Sequence, residues 1–214
     1  MTEQERKKRV VLVTGFGPFA GHPTNASWEA VKELRNIDVE KKLNVVLITE
    51  EIPVIYQSVL TLIPKLWSKH DPMLVIHVGV SSMARCLTLE SRAHMSGYNR
   101  ADIDNKICPL EKENEIDPSC DDIEVLETGF DVKRICDNIN NCDSSESCKA
   151  EVSTNAGRYL CEYIFRQSLM IKPKRTIFVH VPDMLVYPTR KSTEGLYHGT
   201  ESCHIFDLGE ERRD

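Results

Sequence analysis

The chain has no long apolar run. Residues 10–13, behind the first basic cluster, are only strand-length, and nothing approaches the roughly 20 apolar residues that cross a bilayer. No membrane association is therefore expected. Its eight cysteines, Cys86, Cys108, Cys120, Cys136, Cys142, Cys148, Cys161 and Cys203, contain no Cys-x-x-Cys pair, which excludes the common zinc spacings. Concentrated positive charge is also scarce. The run Arg6-Lys7-Lys8-Arg9 reads as a solvated flank, and the net charge of −6 argues against a nucleic-acid surface. The turn Gly15-Phe16-Gly17-Pro18-Phe19 lacks the third glycine and the Lys-Ser/Thr pair of a phosphate loop, so no nucleotide fingerprint is present. The basic flank is not followed by the apolar h-region of a secretory signal. The expected setting is the cytoplasm, with thiols reduced. No metal and no cofactor is implied.

What remains is an ordinary globular composition. With 214 residues, 41% hydrophobic and 28% charged, the chain is long enough to bury one full core. Residues 10–14 read as a short buried strand, 27–35 as a helix, 44–52 as a second strand and 56–69 as the clearest helix. There Val59, Leu60, Ile63, Leu66 and Trp67 make one apolar face. Residues 73–80 are nearly continuous apolar, as at the centre of a parallel sheet. A short strand at 87–90, a polar surface excursion over 96–127, a helix at 131–138, a helix at 156–170 and a last strand at 176–181 follow. Alternating strands and helices predict an α/β fold: a single-domain three-layer sandwich with a mostly parallel twisted sheet and helices on both faces. Residues 1–8 are expected as a flexible flank, 9–183 as the domain and 184–214 as an irregular tail, because the tail shows scattered charges, three glycines and no sustained period.

Chemistry concentrates on Cys161 and His180. Cys161 lies near the start of the 156–170 helix and His180 near the end of the next strand. A thiolate is the nucleophilic form of cysteine, and helix N-termini and imidazoles both favour it. Parallel strands deliver their C-terminal ends to the edge where the following helices start, which would bring both residues to one rim. A Cys-His pair is usually oriented by a third group. Glu90, closing Leu87-Thr88-Leu89-Glu90, is the stronger choice, with Asp183 as rival. The bland readings are that Cys161 and His180 are core residues and Glu90 a surface carboxylate. Phe16 and Phe19 either cap the core or line an apolar pocket for a small ring. His77 reads as structural.

Four segments carry a family resemblance. Val13-Thr14-Gly15-Phe16-Gly17-Pro18-Phe19 with Asn25 and Ser27-Trp28 resembles the N-terminal signature of the pyroglutamyl-peptidase I family, the C15 cysteine peptidases. Val78-Gly79-Val80-Ser81 followed by Leu87-Thr88-Leu89-Glu90 is similar to its glutamate motif. Asn155-Ala156-Gly157-Arg158-Tyr159-Leu160-Cys161 is similar to its cysteine motif, and Phe178-Val179-His180-Val181-Pro182 to its histidine motif. The likeness spans about residues 9–183, in the family's order. It implies Cys161 as nucleophile, His180 as general base and acid, and Glu90 as the orienting carboxylate. It also implies that Phe16 and Phe19 line the pocket for a 5-oxoproline ring, with Asn25 helping to position the substrate. The implied reaction removes an N-terminal pyroglutamyl residue from small peptides through a thioester, in a cytoplasmic enzyme of unassigned oligomeric state.

The chain departs from the family pattern at Ser82, Ser91, Arg92, Met95 and Glu162. Members also continue into a long amphipathic C-terminal helix, whereas 184–214 does not read as one. A missing helix would leave one sheet face bare, at about 25 cal/mol per Å² of lost apolar burial. Two functions follow from the residues: an active exopeptidase, or a catalytically weak relative that binds pyroglutamyl peptides or proteins. A nucleotide-binding module is disfavoured by the missing phosphate loop.

Overall fold

The computed structural model describes residues 9–19, 23–109, 124–142 and 148–210, with side chains to Cys203. The 1–8 flank, the middle of the 96–127 excursion and the end of the tail lie outside the described residues. A six-stranded sheet runs in the order β2-β1-β3-β8-β4-β7. Its strands are β1 (Val10–Phe16), β2 (Val46–Ile52), β3 (Leu74–Ser81), β4 (Leu87–Glu90), β7 (Ala150–Ser153) and β8 (Thr176–Pro182). At the two ends of the polar excursion, β5 (Arg92–His94) just before it and β6 (Val125–Glu127) at its close form a separate antiparallel pair.

Strands β3 and β8 are buried on both faces, which accounts for their unbroken apolar sequence. One face is covered by α3 (Tyr56–His70) and α5 (Leu160–Ile171). The other is covered by α1 (Ala26–Glu33), α4 (Val132–Asn140) and α6 (Thr189–Glu210). The short α2 (Val39–Leu43) lies at the edge of this second layer, between α1 and β2. The expected three-layer α/β architecture is present. His77 is structural: fully buried, with Nδ1 2.7 Å from Thr14 Oγ1 and Nε2 2.7 Å from Ser168 Oγ. Burial pushes its pKa down to about 3, so the ring stays neutral.

The tail corrects the sequence expectation. Residues 189–210 are helical, and α6 packs against α1 and α4 over the sheet. Up to Cys203, the last residue whose side chain is described, the buried positions are Ser192, Thr193, Gly195, Leu196, Thr200, Ser202 and Cys203. Their spacing is helical, but most are small hydroxyl or thiol residues, so no apolar period is visible in the sequence. The two threonine hydroxyls are satisfied inside the layer. Thr200 Oγ1 donates to Leu196 O at 2.7 Å, and Thr193 Oγ1 lies 3.0 Å from Thr189 O and 3.1 Å from Ala30 O. The second sheet face is therefore covered, not bare.

Cys161 and His180 do not reach one rim through parallel strands. β4 is parallel to β7 but antiparallel to β8. The strand before α5 therefore runs opposite to β8, and its C-terminal end points away from that of β8. The 154–159 connection carries the chain back before α5 begins. This connection turns through Gly157 at φ 94° and Arg158 at φ 45°, so α5 starts at Leu160 and not at 156. Cys161 is the helix's second residue.

Candidate active site

His180 sits in the middle of the sheet, opposite Gly79 on β3 and Thr88 on β4. On the same β4 strand Glu90 lies opposite Phe178, close enough that His180 Nδ1 donates to Glu90 Oε1 at 2.8 Å. Glu90 is 1% exposed, and its Oε2 has no partner among the described residues. The whole charge of a buried carboxylate is thus directed at one imidazole. The other side of the ring approaches the thiol, near enough for Cys161 to act on the ring's charge, and both border the space beside Gly79. Gly79 makes the space for this contact. A methyl group added there would lie 2.7 Å from Cys161 Sγ, 2.8 Å from Phe178 Cζ and 3.3 Å from His180 Cδ2. A glycine inside a strand often marks such a close approach, and that signal at Gly79 was legible in the sequence.

Burial alone would push the His180 pKa down. The approach of Cys161 and the hydrogen bond to Glu90, with their charges, outweigh it and raise the pKa to about 9. The protonated ring is then the dominant form at neutral pH. Cys161 is half-buried and borders a cleft of about 840 Å³. At the start of α5 the first backbone N–H groups have no helical acceptor, so donors converge where the thiol sits.

All six residues singled out from the sequence line this cleft: Cys161, His180, Glu90, Phe16, Phe19 and Asn25. Phe16 is almost fully buried with one face on the cleft, and Phe19 is half-buried. Asn25 is 4% exposed and spends its amide on the fold. Its Nδ2 donates to Gly17 O at 2.9 Å, and its Oδ1 accepts from Ser27 N at 3.1 Å and Ser27 Oγ at 2.8 Å. It caps α1 and pins the 15–19 turn that carries both phenylalanines. The rival acid Asp183 also lines the cleft but accepts from Leu185 N at 2.9 Å. Glu90 is the acid hydrogen-bonded to His180.

Sequence reasoning missed two supports. Glu162, next to the thiol, is 0% exposed. Its Oε1 accepts from His94 N at 2.7 Å and lies 2.6 Å from His94 Nδ1, while Oε2 accepts from Arg158 N at 2.7 Å. It therefore ties the left-handed turn before Cys161 to β5, the strand that follows Glu90. Tyr159 caps α5 and stands on the cleft wall with the Arg100 guanidinium 4.3 Å from its ring centre. A buried acid beside a cysteine carries no periodic signature, and the Arg100 contact joins segments distant in sequence.

Fold and site together define a class: an α/β protein in which a thiol, an imidazole and a carboxylate meet beside an apolar-walled cleft, the arrangement of cysteine hydrolases. The family model for pyroglutamyl peptidase matches residues 9–195. The chain is 40% identical over 182 residues to human pyroglutamyl-peptidase 1, covering 84% of this chain and 82% of that protein. It is 32% identical over 183 residues to pyrrolidone-carboxylate peptidase of Bacillus subtilis, covering 83% and 79%. Its fold matches the crystal structure of pyroglutamyl peptidase I from Bacillus amyloliquefaciens, with TM-score 0.75 and 23% identity over 94% of this chain and 98% of that one. The pyrrolidone carboxyl peptidase of Thermococcus litoralis matches at TM-score 0.74 and 19% identity, over 95% and 96%. The chain belongs to the pyroglutamyl peptidase family, the C15 cysteine peptidases.

Proposed function

We propose that this protein is a cysteine exopeptidase that hydrolyses the N-terminal pyroglutamyl residue from small peptides, with Cys161 as nucleophile, His180 as acid and base, and Glu90 as the group that orients and charges His180. The observation that carries the reading is that Cys161 and His180 border the same space beside Gly79 while His180 is hydrogen-bonded to the buried Glu90, in a chain 40% identical to an enzyme named pyroglutamyl-peptidase 1.

In acylation, the Cys161 thiolate attacks the carbonyl carbon of the pyroglutamyl residue, forming the S–C bond. The oxyanion is met by backbone N–H groups at the start of α5, where the positive end of the helix dipole also helps. His180 gives its proton to the departing amine nitrogen, the C–N bond breaks, and a thioester remains. Water then loses a proton to His180 and attacks the thioester. The S–C bond breaks, pyroglutamate leaves and Cys161 recovers its starting state. A pyroglutamyl residue has no ammonium group, so recognition needs apolar walls and lactam hydrogen bonds and no acid. Phe16 and Phe19 supply the walls, and Asn25 acts by holding their turn. Its side-chain bonds are already made within the protein, so its part in substrate positioning runs through the turn.

We also place the protein in the cytoplasm, acting without nucleic acid or membrane. Cys86, Cys136, Cys148, Cys161 and Cys203 are free thiols, in keeping with a reducing compartment. Among the described residues no helix is long and apolar enough to cross a membrane. The net charge of −6 disfavours a nucleic-acid surface.

The test is release of coumarin from a pyroglutamyl-coumarin amide by purified, folded protein, with a prolyl-coumarin amide as control. Hydrolysis of the first and not the second is expected. No turnover by folded protein contradicts the reading and favours a binding relative.

A further inference from the structure

A pyroglutamyl peptide has its amino terminus closed in a lactam, so the only charge every unmodified substrate must carry is the carboxylate at its other end. A charged anchor in the cleft that recognises this class in general must therefore be a cation. Among the described residues lining the cleft, Arg100 is the one lysine or arginine. It is exposed, and its guanidinium rests over Tyr159 at 4.3 Å with no carboxylate partner among the described residues. Tyr159 and Cys161 line the same cleft as Arg100, so the cation stands in the cleft that holds the thiol.

The segment that presents Arg100 is built. Tyr56 Oη donates to Arg100 O at 3.0 Å, and Tyr56 is 1% exposed. Asp102, 5% exposed, accepts from Tyr56 N at 3.1 Å and from Asp104 N and Lys106 N at 3.0 Å each. Stacking on an aromatic face leaves the N–H edge of a guanidinium free for a carboxylate, whose geometry it matches in two parallel bonds. The other charged groups on the cleft are the acids Glu151 and Asp183 and the buried pair Glu90–His180. The two surface acids repel a substrate carboxylate from their side and leave Arg100 as its partner.

Resting on the peptidase reading, we propose that Arg100 is a specificity residue that binds a carboxylate of the peptide portion following the pyroglutamyl residue, so that the protein prefers short or acidic pyroglutamyl peptides over neutral ones. The carboxylate can be the C-terminus of a dipeptide or an acidic side chain, and the substrates separate the two. kcat/KM is measured for pyroglutamyl-alanine, pyroglutamyl-alanine amide and pyroglutamyl-aspartic acid α-amide, at low and at high salt. At least one acid is expected to exceed the neutral amide by about five- to tenfold at low salt, with the preference shrinking as salt screens it. Pyroglutamyl-alanine in the lead assigns the C-terminal carboxylate, and the aspartyl amide in the lead assigns the side chain. In Arg100→Gln the acid-to-neutral ratio is expected to fall to near unity, and Arg100→Lys to retain part of it. Equal rates for all three substrates, or a preference that survives Arg100→Gln, overturn the proposal while leaving the peptidase reading in place. Failure of folded protein to hydrolyse any of the three overturns both.

Discussion

Cys161 in the α5 layer and the cysteines of the α6 layer are put to opposite uses. On the α5 side, Cys161 stands half-exposed at a helix start, in contact with His180, and Gly79 leaves the room it needs. On the α6 side, Cys136, Cys148 and Cys203 are buried. Burial pushes the pKa of Cys136 up to about 12 and raises those of Cys148 and Cys203, so these thiols serve as small apolar filling. Residue type alone does not separate a nucleophile from packing. What separates them is a helix start, an imidazole and a cleft.

Mutations sharpen that contrast, and the largest effects belong to the α5 side. Cys161→Ala or His180→Ala is expected to lower kcat/KM by on the order of three decades or more, and His180→Ala also to destabilise the fold because it leaves the buried Glu90 carboxylate without its partner. Gly79→Ala puts a methyl group 2.7 Å from Cys161 Sγ. It is expected to cost about a hundredfold in kcat, since a displaced nucleophile reacts poorly, together with about 1–3 kcal/mol of stability from overpacking. Steady-state kinetics and denaturant melts measure the two parts. Wild-type rates in Gly79→Ala would mean that the thiol is not held by this contact.

Glu90→Gln is expected to lose less, about ten- to a hundredfold, and to change the pH profile. The His180 pKa is raised from 6.5 to about 9. Because the folded state holds this proton more tightly than the unfolded chain, the contribution to stability is complete below about pH 6.5 and is lost as pH rises to about 9. Turnover loses its proton donor across the same upper limit, so the alkaline limb of kcat/KM is expected near pH 9. Glu90→Gln should move that limb to lower pH, and an unmoved limb would detach Glu90 from the ring's charge.

The smallest effects test the α6 side, where two glycines in one helix should respond with opposite sign. At Gly195 an added Cβ would collide with Leu87 Cδ1 and Cys148 Sγ, whereas at Gly199 the nearest atom, Ile139 Cδ1, is 3.6 Å away. Gly195→Ala is expected to destabilise by about 1–3 kcal/mol. Gly199→Ala is expected to stabilise by about 0.5–1 kcal/mol through helix propensity, which is roughly 2–4 °C per kcal/mol in Tm for a domain of this size. Equal shifts at the two positions would mean that α6 does not pack as described.

The same contrast explains what the sequence revealed. The α5 side was legible because it is built from large apolar residues at helical spacing and strands without polar interruption, such as β3. Cys161, His180 and Glu90 could be picked out because each lies at the start or end of such an element. The direction of β7 relative to β8 was not legible: a four-residue strand carries no mark of which way it pairs. Helix α6 is not legible because its buried stripe, as far as Cys203, is Ser192, Thr193, Thr200, Ser202 and Cys203 around a single Leu196, and because glycine in a helix blurs the pattern even where, as at Gly195, it serves a close contact. Glu162 and Arg100 were missed because their meaning lies in partners far along the chain.

The central claim, that Cys161 accepts the pyroglutamyl group, is tested most directly by quenching the enzyme in acid during turnover and locating the covalent adduct by peptide mass spectrometry. The account predicts a pyroglutamyl thioester on Cys161, absent from Cys161→Ala and accumulating when deacylation is slowed. An adduct on another residue, or undiminished turnover by Cys161→Ala, would contradict it.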